Sequence, residues 1–417
     1  MSQRFTIADA ERYLLSLELF GMRFGLDRMR RLMTALEHPE RRFDSIHVVG
    51  TNGKSSTVRM IARILAEHGV RTGAYLSPHL VSFCERIRID DSDLEPGAFA
   101  AAVKRAVRAA ELVDRSLDGD DRVTQFEALT AAAYSELARR EVEVSVVEAG
   151  LGGRYDATNV IPSSVQVLTS VGLEHTRWLG PTISEIAREK LDVVQPGTTL
   201  VLGRELHPDA QALAVEVAQE RGAQLIQAGE DPGVSLAAPG AFQRRNFAVA
   251  IEAARAYRGT LDQAAVERAA AKVRVPGRLE IIDREPLTLL DGAHNPEGVA
   301  ALVESVGEIA TGGGLTVGVV SILDDKDAAT MLATLLAICD ALVLTSSQNP
   351  RALPPPTLQS LSRQLGGTSS EVVRDPRGAL ARARELAGSD GTVLATGSIY
   401  LVADLLAPAD RRRASML

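Results

Sequence analysis

The first residues that could do chemistry lie in the stretch HVVGTNGKSST, between His47 and Thr57. It reads G-x-x-G-K-S, a shortened form of the common phosphate loop in which Val48 occupies the position of the first glycine. Glycines allow backbone N–H groups to close on an anion, and a following helix adds the positive end of its dipole. We therefore predict that phosphate groups bind here. The predicted contacts are Gly50, Thr51, Asn52, Gly53, Lys54, Ser55, Ser56 and Thr57.

Within this loop, Lys54 is expected to reach the outer phosphates, and Ser55 or Ser56 to contact Mg²⁺, with Ser55 favoured. An ordinary polar turn between a strand and a helix is the alternative. A buried run precedes the loop and an amphipathic run follows it. Because phosphate loops work in this strand–loop–helix context, the sequence favours phosphate binding over the plain turn.

Glu148 follows the apolar run of EVSVVEAG, at the predicted C-terminal end of a parallel strand. Open α/β sheets bind their ligands at this edge. A carboxylate placed there can hold Mg²⁺ opposite the phosphates. For Glu148 alone, a solvated surface carboxylate is the alternative.

Two further residues could reach the same edge. His175 lies beyond the end of another predicted strand, SVQVLTSVG. Lys190 lies in ISEIAREKLDVV, a predicted helix whose apolar stripe it borders, so its amine is expected to point partly inward. A buried lysine is costly unless its charge is paired or removed. A surface histidine and a lysine with a solvated head are the alternatives.

In the second half, Asp291, His294 and Asn295 cluster in DGAHNPEG, directly after the apolar run LTLL. Arg278 lies in the turn-forming PGR between the two halves. We predict that the DGAHNPEG loop caps a nucleotide lying between two domains, and that Arg278 reaches a phosphate when the domains close. A polar turn is the alternative for each residue alone.

These residues require a framework of parallel strands. Short β-branched runs alternate with helical patterns, which predicts an α/β fold with a mainly parallel sheet. We predict buried strands at 45–49, 143–150 and 164–172, and a helix at about 55–68. A second series of the same kind includes LTLL, LTVGVVSI, ALVLTSS and GTVLATGS.

A proline and a glycine interrupt the periodic pattern in VRVPGRLE, between the two series. We therefore predict two domains, at residues 1–275 and 276–417. A chain of 417 residues is long enough for two or three domains with cores of their own.

The composition argues against several classes of protein. The formal net charge of -8 argues against non-specific nucleic-acid binding. The two cysteines, Cys84 and Cys339, fit no disulfide or metal framework. The N-terminus lacks a signal-peptide pattern, and no apolar run approaches the roughly 20 residues that span a bilayer. We expect a cytoplasmic monomer that binds small molecules but neither nucleic acid nor membrane.

Taken together, the motifs resemble the Mur ligase superfamily, and within it the dihydrofolate synthase/folylpolyglutamate synthase family. They occur in the family's order over nearly the whole chain. The matching segments are FGLDRMRRLMTAL, HVVGTNGKSST, YLSPHLVSFCERIRI, QFEALTAAAY, VVEAGLGGRYDATNV, GLEHTRWLGPTISEIAREK, FQRRN, PGRLE, LDGAHNPEG, DDKDA and ATGSIYLV.

The resemblance implies a P-loop Mur ligase-type ATPase domain and a smaller Rossmann-like C-terminal domain, with ATP bound between them. In the implied reaction, ATP phosphorylates a substrate carboxylate, and the amine of L-glutamate attacks the resulting acyl phosphate. The implied acceptor is dihydropteroate, a reduced folate or both. The implied cofactors are ATP, two Mg²⁺ ions and a carbamate on Lys190, which would turn a half-buried cation into an anion able to face Mg²⁺.

The resemblance also assigns roles to residues. The implied catalytic residues are Lys54, Glu148, His175 and Lys190. The implied metal ligands are Ser55, Ser56, Glu148, His175 and Lys190. Beyond the phosphate loop, the implied nucleotide contacts are Asn246, Arg278, Asp291 and His294. The implied acceptor contacts are Ser77, Phe126 and Asp156.

Four positions depart from the family pattern. Ser55 replaces a glycine, Glu174 an aspartate, Tyr155 a leucine and Phe242 a histidine. None of these changes removes a phosphate or metal ligand, so ATP-dependent ligation still follows from the resemblance. Tyr155 and Phe242 bear on the choice of acceptor, which stays open.

Three other functions share part of this sequence pattern. The first is a Mur-type ligase with a different acceptor, against which the SPHL and DATN segments count. The second is a P-loop kinase or GTPase, although the N-K-x-D motif of GTPases does not occur. The third is a regulator that binds ATP without turnover, and the presence of Lys54, Glu148, His175 and Lys190 argues against a decayed site.

Overall fold

Two β-sheets covered by helices make up the computed structural model, which describes residues 5–17, 25–310, 312–367 and 369–408. The first sheet and its helices end before residue 273, and the second sheet begins at Glu280. Both sheets are mostly parallel. The predicted α/β fold class is confirmed.

The first half contains the longer sheet. Its strands are β1 (Asp44–Val49), β2 (Thr72–Tyr75), β3 (Ile87–Ile89), β4 (Ser92–Asp93), β5 (Val144–Glu148), β6 (Val165–Leu168), β7 (Thr199–Leu202) and β8 (Gln224–Gln227). Its helices are α1 (Ile7–Ser16), α2 (Asp27–Ala35), α3 (Lys54–Glu67), α4 (Pro96–Asp114), α5 (Gln125–Arg139), α6 (Thr176–Leu179), α7 (Ile183–Leu191), α8 (Pro208–Arg221), α9 (Ala241–Arg258) and α10 (Gln263–Lys272).

The order of strands in this sheet is β4-β3-β2-β5-β1-β6-β7-β8. β1 pairs in parallel with β5 on one side and with β6 on the other. The loops that follow β1, β5 and β6 therefore leave the same edge of the sheet side by side. This topology places the phosphate loop between Glu148, the last residue of β5, and the loop that carries His175.

Burial on both faces explains why these segments form strands and helices. Ile46 and Val48 of β1 are fully buried. Val58, Ile61 and Leu65 recur on one face of α3, and they pack in the same core cluster as Phe247 of α9. The predicted strand at 164–172 is too long, because the chain leaves the ladder after Leu168. The hydroxyl of Thr169 instead donates to the Asn52 carbonyl of the phosphate loop (2.7 Å).

The second half repeats the layered pattern on a smaller scale. Its strands are β9 (Glu280–Arg284), β10 (Leu287–Leu290), β11 (Thr316–Val320), β12 (Ala341–Leu344), β13 (Ser370–Val372) and β14 (Thr392–Thr396). Its helices are α11 (Pro296–Ile309), α12 (Ala328–Leu336), α13 (Pro355–Gln364), α14 (Pro376–Ala387) and α15 (Ile399–Leu406).

The strand order of the second sheet is β13-β12-β11-β14-β10-β9. All pairs are parallel except β10 with β9, which is antiparallel. The DGAHNPEG loop follows β10, at the carboxyl edge of this sheet. Loops from the carboxyl edges of both sheets therefore carry several of the residues that the sequence indicated.

The structure also describes the two cysteines and the apolar character of the helices. Cys84 and Cys339 are both buried and form no disulfide. Across the described ranges, no helix combines the length and the apolar character needed to cross a membrane.

His47 in β1 supplies a prediction about acid stability. Its imidazole is fully buried, and Nε2 lies 2.8 Å from Thr158 Oγ1, whose own proton goes to Asp156. Burial lowers the pKa of His47 from 6.5 to about 3. The unfolded chain takes up a proton at this histidine below pH 6.5, whereas the folded protein does not until about pH 3. The free energy of unfolding therefore keeps the full contribution of His47 above pH 6.5 and loses about 1.4 kcal/mol per pH unit as the pH falls from 6.5 towards 3. Urea unfolding between pH 7 and 5 should show a steeper loss of stability for the wild type than for His47→Gln, and equal slopes would contradict this account.

Candidate active site

The phosphate loop is tightly held between β1 and α3. A Cβ atom on Gly50 would lie 1.9 Å from Thr169 Oγ1, and one on Gly53 would lie 2.5 Å from Asn246 Oδ1. Gly53 also has φ +86°, a left-handed conformation that suits glycine. The N–H groups of Thr51 and Asn52 donate to Ser170, over 2.9 and 2.8 Å. The loop is therefore preorganised, with the N-terminus of α3 behind it.

Two lysines share one carbonyl of this loop. Lys54 Nζ donates to the carbonyl oxygens of Gly50 and Thr51, both at 3.1 Å. Lys190 Nζ donates to the same Gly50 oxygen over 2.7 Å. Lys190 is 4% exposed, so it points fully inward rather than partly inward as the helical pattern predicted. Burial, and secondarily the charge of Lys54, lowers the pKa of Lys190 to about 7.

Ser55 and Glu148 form the oxygen-rich part of the site. Ser55 Oγ donates to Glu148 Oε1 over 2.7 Å, and the backbone N–H of Ser77 donates to Oε2 over 3.0 Å. Glu148 is 1% exposed, and burial raises its pKa although Lys54 opposes the change. Ser56 is buried in the first turn of α3. Among the described side chains, the hydroxyl that donates to Glu148 is that of Ser55, not that of Ser56. The structure therefore supports Ser55 as the partner of Glu148.

This arrangement predicts different effects for the two serines. Ser55→Ala should raise the Mg²⁺ concentration needed for half-maximal activity about 10- to 100-fold, because an oxygen beside Glu148 is lost. Ser56→Ala should leave this Mg²⁺ requirement unchanged. A Mg²⁺ titration of steady-state activity in the two variants distinguishes them, and the opposite ranking would make Ser56 the metal contact.

His175 lies on the loop after β6, at the start of α6. Its φ is +53°, a left-handed conformation that is uncommon outside glycine. Desolvation in the cleft lowers its pKa to about 4 against the opposing charge of Glu174, so the imidazole is neutral at physiological pH. A neutral imidazole is the form that binds metals.

The second sheet contributes the opposite wall. Asp291 accepts hydrogen bonds from the N–H groups of Leu279 and Ala293, both at 2.7 Å, so its buried carboxylate joins its own loop to the turn before β9. Burial raises the pKa of Asp291. His294 Nε2 lies 3.1 Å from Glu174 Oε1 of the first half. Arg278 also lies at this wall.

Asn52 and Asn295 join the two halves directly. Asn52 Nδ2 donates to Asn295 Oδ1 over 3.2 Å, and Asn295 Nδ2 donates to Asn52 Oδ1 over 3.0 Å. Asn295 also caps the N-terminus of α11 through the N–H of Gly298. The phosphate loop is thus tied to the first helix of the second half.

The residues that the resemblance assigns to the acceptor lie around Glu148 and the loop that follows it. The Phe126 ring covers Gly150, where a Cβ atom would lie 2.6 Å from Phe126 Cζ. Asp156 is buried and accepts from the N–H groups of Leu151 (2.7 Å) and Thr158 (3.0 Å). The hydroxyl of Ser77 lies 3.3 Å from Arg86 Nη1.

Most of the predicted site residues line one cavity of about 1240 Å³. Its lining includes Thr51, Asn52, Gly53, Lys54, Ser55, Ser56, Ser77, Phe126, Glu148, Asp156, His175, Asn246, Arg278, Asp291 and His294. Three predicted residues are not part of the lining. Gly50 and Lys190 lie behind the wall, and Thr57 is fully buried in α3. The Thr57 side chain is therefore buried under α3 and does not face the cavity.

Sequence reasoning assigned no role to Lys326, Arg351 or Ser398, which also line this cavity. Lys326 lies in DDKDA and Ser398 in ATGSIYLV, so the family motifs marked both segments. Within the described residues, no three His, Cys, Asp or Glu side chains converge as a metal site. The oxygen donors that the structure brings together are the Ser55 hydroxyl and the Glu148 carboxylate.

Comparison with known sequences identifies relatives along the chain. Residues 277–399 match the family described as Mur ligase, glutamate ligase domain. The chain is 34% identical over 417 residues to the dihydrofolate synthase/folylpolyglutamate synthase of Bacillus subtilis, covering 93% of this chain and 95% of that relative. It is 33% identical over 422 residues to a probable bifunctional folylpolyglutamate synthase/dihydropteroate synthase of Haloferax volcanii. That match covers 95% of this chain but only 50% of the relative's own length.

Solved structures agree with these sequence matches. The Mycobacterium tuberculosis folylpolyglutamate synthase complexed with ADP and AMPPCP has a TM-score of 0.88 and 30% identity, covering 96% of this chain and 97% of that one. A bifunctional folylpolyglutamate synthase/dihydrofolate synthase from Yersinia pestis, complexed with AMPPNP and a Mn ion, has a TM-score of 0.84 and 28% identity, with 96% and 97% covered. The likeness extends over both sheets. The chain belongs to the dihydrofolate synthase/folylpolyglutamate synthase family of ATP-dependent, Mur ligase-type enzymes.

Proposed function

We propose that this protein uses ATP to join L-glutamate to dihydropteroate, a reduced folate or both, through an acyl phosphate. The observation that carries the proposal is the Gly50 carbonyl, which Lys54 and Lys190 both contact beside the Ser55–Glu148 pair. This cluster borders a cavity that continues to Phe126 and Asp156. A phosphate site next to a large pocket fits phosphoryl transfer to a bulky carboxylic acid. The names and nucleotide complexes of the relatives support the same reaction.

The proposed reaction has two steps. A carboxylate oxygen of the acceptor attacks the γ-phosphorus of ATP, the bond to the β-phosphate oxygen breaks, and ADP leaves. The neutral amine of glutamate then attacks the acyl carbon to form a tetrahedral intermediate. Inorganic phosphate leaves, and the nitrogen loses a proton to give the amide.

Electrostatics is the main task of the site in the first step, because a carboxylate must approach a polyanion. The ammonium of Lys54 and the N-terminal end of α3 offset this repulsion. The loops of the two sheets enclose the cavity between them. Such enclosure protects an acyl phosphate from water until the amine arrives.

The side chains fit magnesium. A hydroxyl and a carboxylate are oxygen donors of the kind that Mg²⁺ prefers, and a bound cation would favour the ionised form of Glu148. We assign Ser55 and Glu148 to one Mg²⁺, with Ser56 behind them in α3, and His175 and carbamylated Lys190 to a second. When bound, Mg²⁺ would neutralise charge on the phosphates.

The surroundings of Lys190 suit carbamate formation. A pKa of about 7 leaves much of its amine neutral at physiological pH. The neutral amine can add to CO2 with release of a proton, which gives an anion next to the Lys54 ammonium. Burial behind the Gly50 carbonyl limits access of water to the product.

The second half is proposed to complete the nucleotide site. We assign Asn246, Arg278, Asp291 and His294 to the nucleotide, since all four line the cavity. We place the domain boundary between residues 275 and 276, next to the start of the Mur ligase match at 277. The protein is proposed to be a cytoplasmic monomer whose partners are small molecules.

Product analysis tests the proposal. The protein is incubated with ATP, Mg²⁺ and glutamate, together with dihydropteroate in one reaction and tetrahydrofolate in another. Mass spectrometry should show a product heavier by one or more glutamate residues, and ADP release should require both the pterin and glutamate. ADP release without a pterin requirement would contradict the proposal. Ligation of a different acid would indicate another Mur-type acceptor, and binding of ATP without ADP release would indicate a regulator.

A further inference from the structure

Glu174 connects the two halves of the cleft through a single carboxylate. Its Oε1 atom lies 3.1 Å from His294 Nε2 and 3.0 Å from Lys326 Nζ. Both partners belong to loops of the second sheet, whereas Glu174 follows β6 of the first. The side chains of Glu174 and Lys326 are only 8% and 11% exposed. Glu174 therefore makes a shielded contact between two separate sheets.

Shielding makes this ion pair stronger than an ordinary surface pair. An exposed pair contributes little to stability, because water and salt screen it. A pair removed from water is screened much less, and loss of one partner leaves a buried charge unpaired. Lys326 also approaches Asp325, which faces Arg351, each over 3.6 Å. The contact thus extends along the cavity wall of the second half.

The position of Glu174 in the chain gives the contact its significance. The next residue is His175, whose φ of +53° places it in a strained left-handed conformation. α6 begins directly after it. The Leu179 side chain of α6 packs against Gly152, because a Cβ atom on this glycine would lie 2.9 Å from Leu179 Cδ2. The loop from 169 to 175 therefore begins at the end of β6 and leads into α6, which packs on the loop after β5. The Glu174 side chain attaches this loop to the second half, next to a hydrogen bond from the N–H of Leu173 to Glu297 of α11.

We propose that Glu174 is a positioning residue, which orients the His175 loop by pairing with Lys326 and His294 when the second half closes over the cleft. This inference rests on the proposed ligase function. Glu174 does not need to touch a substrate, because its carboxylate oxygen is already shared by two partners. Closure and the arrangement of the His175 loop become one event, so the reaction begins only in an enclosed site.

A double-mutant cycle tests the inference. The variants are Glu174→Gln, Lys326→Met and the double variant, with Glu308→Gln as the matched control. Glu308 pairs with Arg244 between α9 and α11 on the outer side of the same boundary, where both side chains are about two-fifths exposed. Glu174→Gln should lower kcat about 10-fold while the KM for ATP changes little. Glu308→Gln should match the wild type. The double variant should be no slower than the slower single variant, because both changes remove the same contact.

Trp178 provides a second readout that needs no turnover. It is the single tryptophan of the sequence and lies four residues after Glu174, on α6. Acrylamide quenching of its fluorescence should increase by a similar amount in Glu174→Gln, Lys326→Met and the double variant, and not in Glu308→Gln. Thermal melting of each variant separates this local effect from global unfolding.

Additive losses in kcat, or quenching that stays at the wild-type value in Glu174→Gln, would overturn the positioning role. A fall in activity that only follows a lower melting temperature would also overturn it. Failure of the ligase proposal looks different, since the wild type itself would then lack pterin- and glutamate-dependent ADP release. In that case the quenching cycle still decides whether Glu174 fixes the loop.

Discussion

Replacing Lys190 by alanine is expected to lower kcat about 100- to 1,000-fold, the scale of losing a preorganised electrostatic group from an active site. The Lys190 amine lies 2.7 Å from the Gly50 carbonyl, on the loop that is proposed to hold the phosphates. Alanine removes this hydrogen bond, and with it any carbamate that could face a metal. The measurement is steady-state ADP release at saturating ATP, glutamate and acceptor.

Arg188→Ala is the matched control, because Arg188 lies two residues earlier on α7 with a side chain that is 59% exposed. It should keep full activity. The response of activity to bicarbonate tests the carbamate on Lys190, and its direction with pH can be predicted. Since the pKa of Lys190 is about 7, the neutral amine that reacts with CO2 becomes scarce as the pH falls below 7. Stimulation of the CO2-depleted wild type by bicarbonate should therefore weaken below pH 7, and full activity of Lys190→Ala would eliminate the carbamate.

The second large effect is expected from Gly50→Ala. The new methyl group would lie 1.9 Å from Thr169 Oγ1 and 3.1 to 3.2 Å from the backbone of Ser170. Thr169 cannot simply turn away, because its hydroxyl donates to Asn52 (2.7 Å) and also contacts the Val49 carbonyl (3.3 Å). The loop must therefore shift, and the Gly50 carbonyl moves away from both lysines. We expect ATP binding, measured by calorimetry, to weaken about 100-fold, which corresponds to about 2.7 kcal/mol.

Two comparisons isolate the cause. Gly307→Ala places a methyl group on α11 where nothing lies within 4 Å, and it should be neutral or stabilise the protein by up to about 1 kcal/mol. Thr169→Ala combined with Gly50→Ala removes the closest clashing atom, so part of the ATP affinity should return. If Gly50→Ala binds ATP as the wild type does, the loop is not preorganised in the way described.

The local parts of the fold could be predicted from the sequence. The apolar run before Gly50 forms β1 and the amphipathic run after it forms α3, because both patterns depend on burial by near neighbours. The sequence predicts one strand at 164–172, yet the last four residues of this run leave the sheet. Thr169 contacts Asn52, which is 117 positions away, and a local pattern carries no record of such a contact.

The same limit applies to the candidate site. The sequence indicated Lys54, Glu148 and Arg278 because strand ends and glycine turns mark the carboxyl edge of a sheet. The depth of Lys190 depends on a contact with Gly50, which is 140 positions away. The pairing of Glu174 with Lys326, 152 positions apart, depends on how the two sheets are placed against each other. A departure from the family pattern, glutamate for aspartate at 174, was the only local sign of that contact.

The contacts between the two halves differ in how they respond to dissolved salt. Arg244 and Glu308 form an exposed ion pair at the outer edge, which salt screens readily. Deeper in, the uncharged Asn52–Asn295 amide pair has no net charge to screen. Rising ionic strength would thus loosen the boundary from the outside inward. The outer edges of the two halves would then separate while the Asn52–Asn295 pair keeps the phosphate loop in contact with α11. The amide pair would thereby limit the entry of water to the proposed acyl phosphate.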